Sequence, residues 1–356
     1  MATTPHILIV GPLPPPIGGV SSHVQRLSAV LVGGGYNCTV LDIYRQSPKV
    51  DVPGATHKVC PYRSQFLAVF WLLYELWEGH GDIIHLHFSR IVGLFPLLAF
   101  LIPKKGRKVF LTLHHGDQAA LLRPLLLPFR ILIRHALQGV DKIIALSPKQ
   151  ESFYLESGVK SENMVRLTSD IPSKVSPDNS LLPETVSGLN EHGAETILVT
   201  SGYPNKYYGY EASLHLLDYL SQHFPCRLIV SLYGKSKDPE YERDLRKKLE
   251  ANPKVTLVGP LPMPGFLALL KKADLYVRPT TVDSYGLAIT DALDLGVECL
   301  ASDVCVRDPR CQTFPVGEMD AFCKSAMGIL NEKLRGGGSQ GLESRFVPED
   351  VFRIYR

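Results

Sequence analysis

The sequence lacks features that mark several other classes of protein. Its seven cysteines are scattered and include no Cys-x-x-Cys pair, which argues against a disulfide framework or a zinc site. The longest apolar run, Ile91 to Ile102, has twelve residues, fewer than the ~18 that a membrane-spanning helix needs. Residues 1–20 contain no basic segment followed by a long apolar one, so we predict no signal peptide. These absences favour a cytoplasmic protein with reduced thiols.

Acidic residues are scarce in one long segment of the chain. Between Arg90 and His135 there are eight Lys or Arg residues and a single acid, Asp117. Such a concentration of positive charge indicates an anionic partner for the N-terminal half of the chain. We do not expect that partner to be a nucleic acid.

Two stretches of the N-terminal half suggest a membrane surface as that partner. Residues 65–77 form a very apolar helix candidate. Within residues 121–137, seven- and four-residue spacing places three arginines on one stripe, opposite leucines: Arg123, Arg130 and Arg134. Basic amphipathic helices can lie in anionic lipid interfaces, so peripheral binding at the inner face of a membrane is one interpretation. A core-facing helix with a solvated basic edge is the alternative.

The residues that are present predict an α/β protein of two domains. A length of 356 residues is typical of about two domains, and 45% apolar with 21% charged residues is ordinary for a globular chain. Near-continuous apolar strands that alternate with helices indicate parallel sheets covered on both faces. We predict ten strands: 7–10, 39–41, 83–86, 109–113, 142–145, 196–200, 227–232, 256–258, 275–277 and 299–301.

Composition also predicts where the domains divide. The segment 176–196 is polar and rich in Pro, Gly, Asn and Asp, which is typical of a linker. We therefore predict an N-terminal domain at 1–178, a linker at 179–195 and a C-terminal domain at 196–340. A terminal helix-like stretch lies within 341–356.

One segment carries a pattern suited to a nucleotide diphosphate sugar. A strand-like run ends at Arg278, a polar loop follows with Asp283, and a helix-like stretch after Gly286 contains Asp291. Unpaired N–H groups at a helix start attract phosphate. An acid five residues into the helix lies roughly 7 Å further on, at about 1.5 Å rise per residue. The two acids, with seven residues between them, could therefore hold sugar hydroxyls on one side of a diphosphate and ribose hydroxyls on the other.

This acid-x7-acid segment resembles the signature of glycosyltransferase family 4, the retaining GT-B enzymes, in which both acids are usually glutamates. Four further segments are similar to the family and stand in its order, so the likeness covers nearly the whole chain. They are the Gly18-Gly19 loop after the first strand, the Thr112-x-His114 strand end, residues 141–147 and residues 255–261.

The resemblance implies a GT-B fold, with two doubly wound Rossmann-like domains facing across a cleft. The N-terminal domain would be the acceptor side, the C-terminal domain would bind the nucleotide sugar, and residues 341–356 would pack back toward the N-terminal domain. The implied reaction moves a sugar from a nucleotide diphosphate sugar to a growing glycan, such as a lipid-linked or surface polysaccharide precursor. No cofactor is expected. No metal is expected either, because the chain lacks an Asp-x-Asp site.

The resemblance also implies roles for individual residues. His114 and Asp283 would act at the donor sugar as the catalytic pair, with His115 as the substitute if the register is off by one. The nucleobase would lie near Gly259 and Leu261. The remaining donor-binding residues would hold the diphosphate and the ribose: Gly18, Gly19, Lys206, Arg278, Ser284, Tyr285, Gly286, Leu287 and Asp291.

One departure from the family pattern keeps other functions open. The family has Gly-Arg-x4-Lys-Gly after the first strand of the second domain, whereas this chain has Tyr203 and Tyr208 at the two basic positions. Lys206 or Arg278 could replace them, although Lys206 could also be an ordinary loop lysine and Arg278 could be structurally paired. A nucleotide-sugar epimerase on the same scaffold and a non-catalytic nucleotide-sugar-binding subunit are therefore alternatives. A dehydrogenase is disfavoured, because no Gly-x-Gly-x-x-Gly loop follows the first strand.

Overall fold

The computed structural model describes residues 4–44, 49–102, 104–167, 171–189, 195–335 and 346–356, with the side chains of residues 65 and 94 left aside. The chain forms two compact units. The first unit comprises Met1–Ile171 and Phe346–Arg356, and the second comprises Pro172–Arg345.

The first unit is built on a seven-stranded parallel sheet with the order β3-β2-β1-β4-β5-β6-β7. Its strands are β1 (His6–Val10), β2 (Asn37–Asp42), β3 (Thr56–Val59), β4 (Ile83–Phe88), β5 (Lys108–Leu113), β6 (Lys142–Ala145) and β7 (Met164–Arg166). Its helices are α1 (Gly19–Gly33), α2 (Gln65–Glu78), α3 (Leu94–Leu101), α4 (Gln118–Leu122), α5 (Leu127–Gln138), α6 (Pro148–Glu156) and the terminal α13 (Pro348–Tyr355), with a 3-10 turn at Ser161–Asn163.

The second unit is built on a six-stranded parallel sheet with the order β10-β9-β8-β11-β12-β13. Its strands are β8 (Thr196–Gly202), β9 (Cys226–Leu232), β10 (Val255–Val258), β11 (Leu275–Arg278), β12 (Glu298–Ser302) and β13 (Gln312–Phe314). Its helices are α7 (Glu184–Ser187), α8 (Tyr210–Leu220), α9 (Pro239–Ala251), α10 (Met263–Lys271), α11 (Leu287–Asp294) and α12 (Met319–Leu334), with 3-10 turns at Asn179–Leu181 and Lys206–Tyr208.

Both sheets are buried on both faces, as their apolar strands predict. Successive side chains of a strand point to opposite faces, so one strand supplies two cores. In β1, Leu8 and Val10 belong to one buried cluster, and Ile7 and Ile9 belong to the other. The second sheet divides its strands between two clusters in the same way.

The ten predicted strands all occur, with ends that differ by up to two residues. The three strands that the sequence did not reveal, β3, β7 and β13, are all at sheet edges. An edge strand has one partner and more solvent contact, so it needs fewer apolar residues. In β3, with the sequence THKV, the side chains alternate between exposed and half-buried.

The prediction that the three arginines form one stripe along a single helix is wrong. Arg123 is the C-cap of α4, whereas Arg130 and Arg134 lie in α5, which begins at Leu127. Pro124 follows the α4 cap, and the chain turns before the next helix starts. A proline lacks the N–H that would continue a helix, which explains the interruption.

The junction between the units differs from the composition-based boundary. The second unit begins at Pro172, and the segment that follows packs into it. The backbone N–H of Asp178 donates to the carbonyl of Pro264 at 3.0 Å, and Leu182 and Val186 lie in a core cluster of that unit. Residues 179–189, predicted as linker, are therefore packed structure, while residues 190–194 lie outside the described part of the chain.

The terminal helix α13 belongs to the first unit. Lys142 Nζ donates to the carbonyl of Ile354 at 2.7 Å, and the ring of Phe352 stacks on Tyr36 at 5.6 Å. Residues 341–345 of the predicted terminal segment, like 336–340 of the preceding one, lie outside the described ranges. Within the described ranges, none of the helices has the length and apolar character required to span a bilayer.

Candidate active site

The acid-containing loop lies in the second unit, between β11 and α11. Gly286 is the N-cap of α11 and has φ +92°. A Cβ at this position would come within 3.0 Å of Arg307 Nη1 and within 3.2 Å of Arg278 Nε. Glycine is therefore required for two reasons, the left-handed backbone and the close approach of two guanidinium groups.

Asp283 is held between two arginines. Arg278 donates from Nε to Oδ2 at 2.6 Å and from Nη2 to Oδ1 at 3.2 Å. Arg307 donates from Nη1 to Oδ2 at 2.6 Å. All three side chains are nearly buried. Two guanidinium groups and one carboxylate leave a net charge of +1 in this cluster, which suits an anionic ligand.

The opposite charges of the cluster keep its groups ionised despite burial. Burial disfavours the ionised carboxylate, but the charges of Arg278 and Arg307 hold the pKa of Asp283 well below its usual range. Burial likewise opposes the charge of Arg278, and the Asp283 carboxylate raises the pKa of Arg278 well above its usual value. Both groups stay ionised across the whole physiological pH range.

Arg307 also fixes the backbone that surrounds the acid. It donates from Nη1 to the carbonyl of Tyr285 at 2.9 Å, from Nη2 to Thr280 Oγ1 at 3.1 Å, and from Nε to the carbonyl of Ser302 at 3.0 Å. These contacts join the loop after β11 to the end of β12. Sequence reasoning missed Arg307, because no local pattern marks it and it lies 24 residues from Asp283.

The two candidate phosphate cations have different surroundings. Arg278 is paired with Asp283, and its guanidinium lies 5.5 Å from the Tyr208 ring. These contacts agree with the alternative in which Arg278 has a structural partner. Lys206 has a side chain that is 76% exposed, and its Nζ lies 4.0 Å from Asp238 Oδ2 and 5.6 Å from the Tyr241 ring. The ring of Tyr208, at the family's lysine position, fits against Gly202, where an added Cβ would overlap it.

The other predicted donor-binding residues of this unit have mixed exposure. Asp291 lies on α11 and is buried, as are Tyr285 and Leu261. The backbone N–H of Ser284 donates to Asp283 Oδ1 at 3.0 Å. Gly259 is exposed, with open space where a Cβ would lie. Leu287, the first residue of α11, is half-buried.

In the first unit, His114 lies directly after β5 and joins two other histidines. His87 is on the neighbouring strand β4, and its Nδ1 is 3.1 Å from His114 Nε2. His23, on α1, has its ring 4.8 Å from that of His114 and 5.5 Å from that of His87. His115 turns away, with Nδ1 3.0 Å from the carbonyl of Asp117, so His114 is the member of the pair that enters this cluster.

A fourth histidine connects the cluster to α13. His85 Nδ1 is 2.6 Å from the Tyr355 hydroxyl, its Nε2 is 2.8 Å from Thr112 Oγ1, and its ring is 4.0 Å from that of His87. Burial lowers the pKa of His23 to about 4 and that of His85 to about 3. Burial also lowers the pKa of His87 and His114 well below the usual value. All four imidazoles are therefore neutral at pH 7.

Three of these imidazoles lie close enough together to hold a metal ion, which bears on the expectation that no metal is needed. One ring nitrogen from each of His23, His87 and His114 lies within 4.8 Å of the others, and neutral imidazole is a common metal ligand. Two of the rings already share a hydrogen bond. That the reaction needs no metal remains a prediction, which a chelator can test.

The Gly18-Gly19 loop begins α1 in the same unit. Gly18 has extended backbone, and Gly19 is exposed with open space around it. A buried ion pair that the sequence did not reveal supports the preceding segment. Lys49 Nζ lies 2.8 Å from Asp42 Oδ2 and donates to the carbonyl of Pro15 at 2.6 Å, and the same carboxylate accepts the N–H of Leu13.

Comparison with known proteins gives matches along most of the chain. A family model described as Glycosyltransferase Family 4 matches residues 17–167, and one described as Glycosyl transferases group 1 matches residues 184–308. No curated protein sequence matches.

Solved structures match over nearly their full length at low identity. Sucrose-phosphate synthase from Thermosynechococcus elongatus is 16% identical with a TM-score of 0.68, covering 98% of this chain and 94% of that one. Anabaena Alr3699/HepE in complex with UDP and glucose is 14% identical with a TM-score of 0.66, covering 99% and 94%. The lipopolysaccharide outer core galactosyltransferase WaaB is 16% identical with a TM-score of 0.55, covering 98% and 95%.

Two parallel-sheet α/β units of this kind define the GT-B class of proteins. The chain is a glycosyltransferase of the family 4 type, as the two family models together indicate. The fold class and the family predicted from the sequence are thereby confirmed.

Proposed function

We propose that this glycosyltransferase is a retaining enzyme that transfers a sugar from a UDP-sugar to a lipid-linked or surface polysaccharide precursor. The observation that carries the proposal is the cluster of Arg278, Asp283 and Arg307 at the start of α11, which combines a rigid carboxylate with a net positive charge. The match to a structure solved with UDP and glucose supports the choice of donor.

The cluster suits the departure of a diphosphate. Preorganised positive charge and backbone N–H groups aimed at a leaving group are usually the largest contribution to such catalysis. Here the first turn of α11 and the arginines would supply both. The Asp283 carboxylate has about four lone-pair sites, and donors from Arg278, Arg307 and Ser284 already occupy them, so a sugar hydroxyl would bind Asp283 in place of one of these donors. Asp291 would hold the ribose.

His114 keeps the role that the family resemblance implies, a hydrogen bond to the donor sugar. Because burial keeps its imidazole neutral, it would act through one N–H or one lone pair and not as a charged acid. We assign no residue the role of nucleophile, which fits attack from the side on which the diphosphate leaves. Neither a cofactor nor a metal is assigned.

The acceptor would be presented at a membrane. Helices α2, α3 and α5 expose large apolar side chains, among them Phe66, Phe100 and Leu127. Basic residues concentrate in the same part of the chain. We propose peripheral binding at the inner face of an anionic membrane, in the cytoplasm. Binding to anionic vesicles should fall when Arg123, Arg130 and Arg134 are changed together to glutamine; unchanged binding contradicts the proposal.

The donor can be identified by thermal unfolding with UDP-, GDP-, ADP- and dTDP-sugars, since a ligand stabilises the state that binds it. We expect the largest rise in the unfolding temperature with a UDP-sugar, and loss of that rise in Asp283→Asn.

Incubation with the donor alone separates the proposed function from its alternatives, a nucleotide-sugar epimerase and a non-catalytic subunit. Isomerised sugar indicates an epimerase. Donor binding without turnover across acceptors indicates a non-catalytic subunit, which the tyrosines at the family's Arg and Lys positions would then explain.

A further inference from the structure

A groove of about 410 Å³ runs between α3 and α5 in the first unit. Its volume falls within the range of ~300–1,000 Å³ that is usual for small-molecule sites. Every residue that lines it is apolar. Those central to the groove are Pro96, Leu97 and Phe100 from α3, and Phe129, Leu132 and Ile133 from α5.

The groove is not closed by the protein itself. Ile133 is buried at its base, whereas Leu97, Phe100, Phe129 and Leu132 are each 44–56% exposed. Exposed apolar side chains that stand together mark an interaction site, because isolated ones are ordinary but contiguous ones are costly in water. A concave apolar surface of this kind fits a chain that enters it better than it fits a flat partner.

Positive charge beside the groove indicates the charge of the ligand's head group. Arg130 and Arg134 are one helical turn apart on α5, and each directly follows a residue that lines the groove, Phe129 and Ile133. Both lie outside the ion pairs found among the described residues and are therefore available to an external anion, whereas the charge of Arg123 also acts on the Asp117 carboxylate. A ligand that satisfies both features has an apolar tail and a negatively charged head.

We propose that this groove binds the hydrocarbon tail of the acceptor, a lipid phosphate, while Arg123, Arg130 and Arg134 bind its phosphate groups. This inference rests on the proposed function, because it takes the acceptor to be lipid-linked. It adds a defined site for the tail, so the enzyme would select its acceptor by chain as well as by sugar. General adsorption to a bilayer would need only the exposed surface and no groove.

The test uses soluble probes, titrated into the full-length chain and followed calorimetrically below the concentration at which the probes self-associate. Farnesyl phosphate, isopentenyl phosphate, farnesol and inorganic phosphate separate the contributions of tail and head. Each methylene that loses contact should weaken binding about fourfold. We therefore expect saturable binding of farnesyl phosphate, binding of isopentenyl phosphate weaker by more than 100-fold, and none detectable for inorganic phosphate.

Variants locate the site. The double change Leu97→Gln and Leu132→Gln should weaken farnesyl phosphate binding by at least tenfold, and the exposure of both residues predicts that the variant folds. Leu127→Gln is the matched control, because Leu127 is 63% exposed on the same helix but does not line the groove. Arg130→Gln with Arg134→Gln should remove the preference for farnesyl phosphate over farnesol.

Two results overturn the inference: no saturable binding of farnesyl phosphate, or equal losses in the groove variant and in Leu127→Gln, which would indicate adsorption to the whole apolar surface. Donor binding reports separately on the proposed function. If farnesyl phosphate binds as expected but no nucleotide sugar stabilises the chain, the proposed function fails and the groove remains a lipid site.

Discussion

The buried histidines predict that the first unit loses stability in mild acid. His23, His85 and His87 are almost fully buried and have pKa values far below the value of about 6.5 for an exposed histidine. Below pH 6.5 the unfolded chain takes up protons at these positions and the folded chain does not. The contribution of these histidines to the unfolding free energy is therefore fully present above about pH 7 and is lost as the pH decreases through 6.5.

The size of the loss follows from the same shifts. Between pH 7.0 and 5.5, each histidine that stays neutral only in the folded state costs about 1.2 kcal/mol of unfolding free energy. The three fully buried histidines together cost about 4 kcal/mol, a large part of the 5–15 kcal/mol typical of a folded domain. With a urea m-value of about 2 kcal/mol/M, the unfolding midpoint should fall by about 2 M.

The chain provides its own probe for this measurement. Both of its tryptophans, Trp71 and Trp77, lie on α2 in the first unit, so their fluorescence follows that unit alone. In His85→Gln the pH dependence should shrink by about a third, whereas His80→Gln, at an exposed position, should leave it unchanged. A midpoint that moves by less than about 0.3 M between the two pH values would show that the histidines are not held neutral, and would refute the reasoning.

Three further predictions concern the second unit and the reaction. Asp283→Asn leaves two buried guanidinium groups without their counter-charge, so urea unfolding followed by circular dichroism should show a loss of about 3 kcal/mol, together with loss of sugar transfer; a stable and active variant contradicts the assigned role. Gly286→Ala forces a side chain into a left-handed position with no room for it and should cost about 1–3 kcal/mol, whereas Gly296→Ala, also at positive φ but in open space, should cost less. Transfer should continue at an unchanged rate in excess chelator, and a rate restored only by added divalent metal would assign a role to the three clustered histidines.

The strands that carry the site were predictable because their signal is local. A run such as residues 7–10 is apolar throughout and is buried on both faces, and the order of strands and helices then indicates parallel sheets. The edge strand β3 gave no such signal, since half of its side chains face solvent. The division of one amphipathic stretch into α4 and α5 depended on a chain turn that the spacing of the arginines did not reveal.

The composition of the candidate site was predictable only in part. The positions of Asp283, Gly286 and Asp291 follow from a pattern within fourteen residues of Arg278. The contacts of Arg278 did not follow, because a guanidinium at a strand end could serve either a phosphate or a carboxylate. The support given by Arg307 could not be predicted, since it comes from the loop after the next strand.

The sequence by itself determined the class of this protein, through apolar strands, helix-start glycines and two acids at a set spacing. The tertiary structure alone decided which charged and polar groups meet. His23 lies on a helix, His87 on a strand and His114 directly after the neighbouring strand, and Arg307 reaches Asp283 from another loop. The physical reason is that secondary structure follows from neighbours along the chain, whereas ion pairs and shared burial depend on strand order and register, which bring distant residues within about 3 Å.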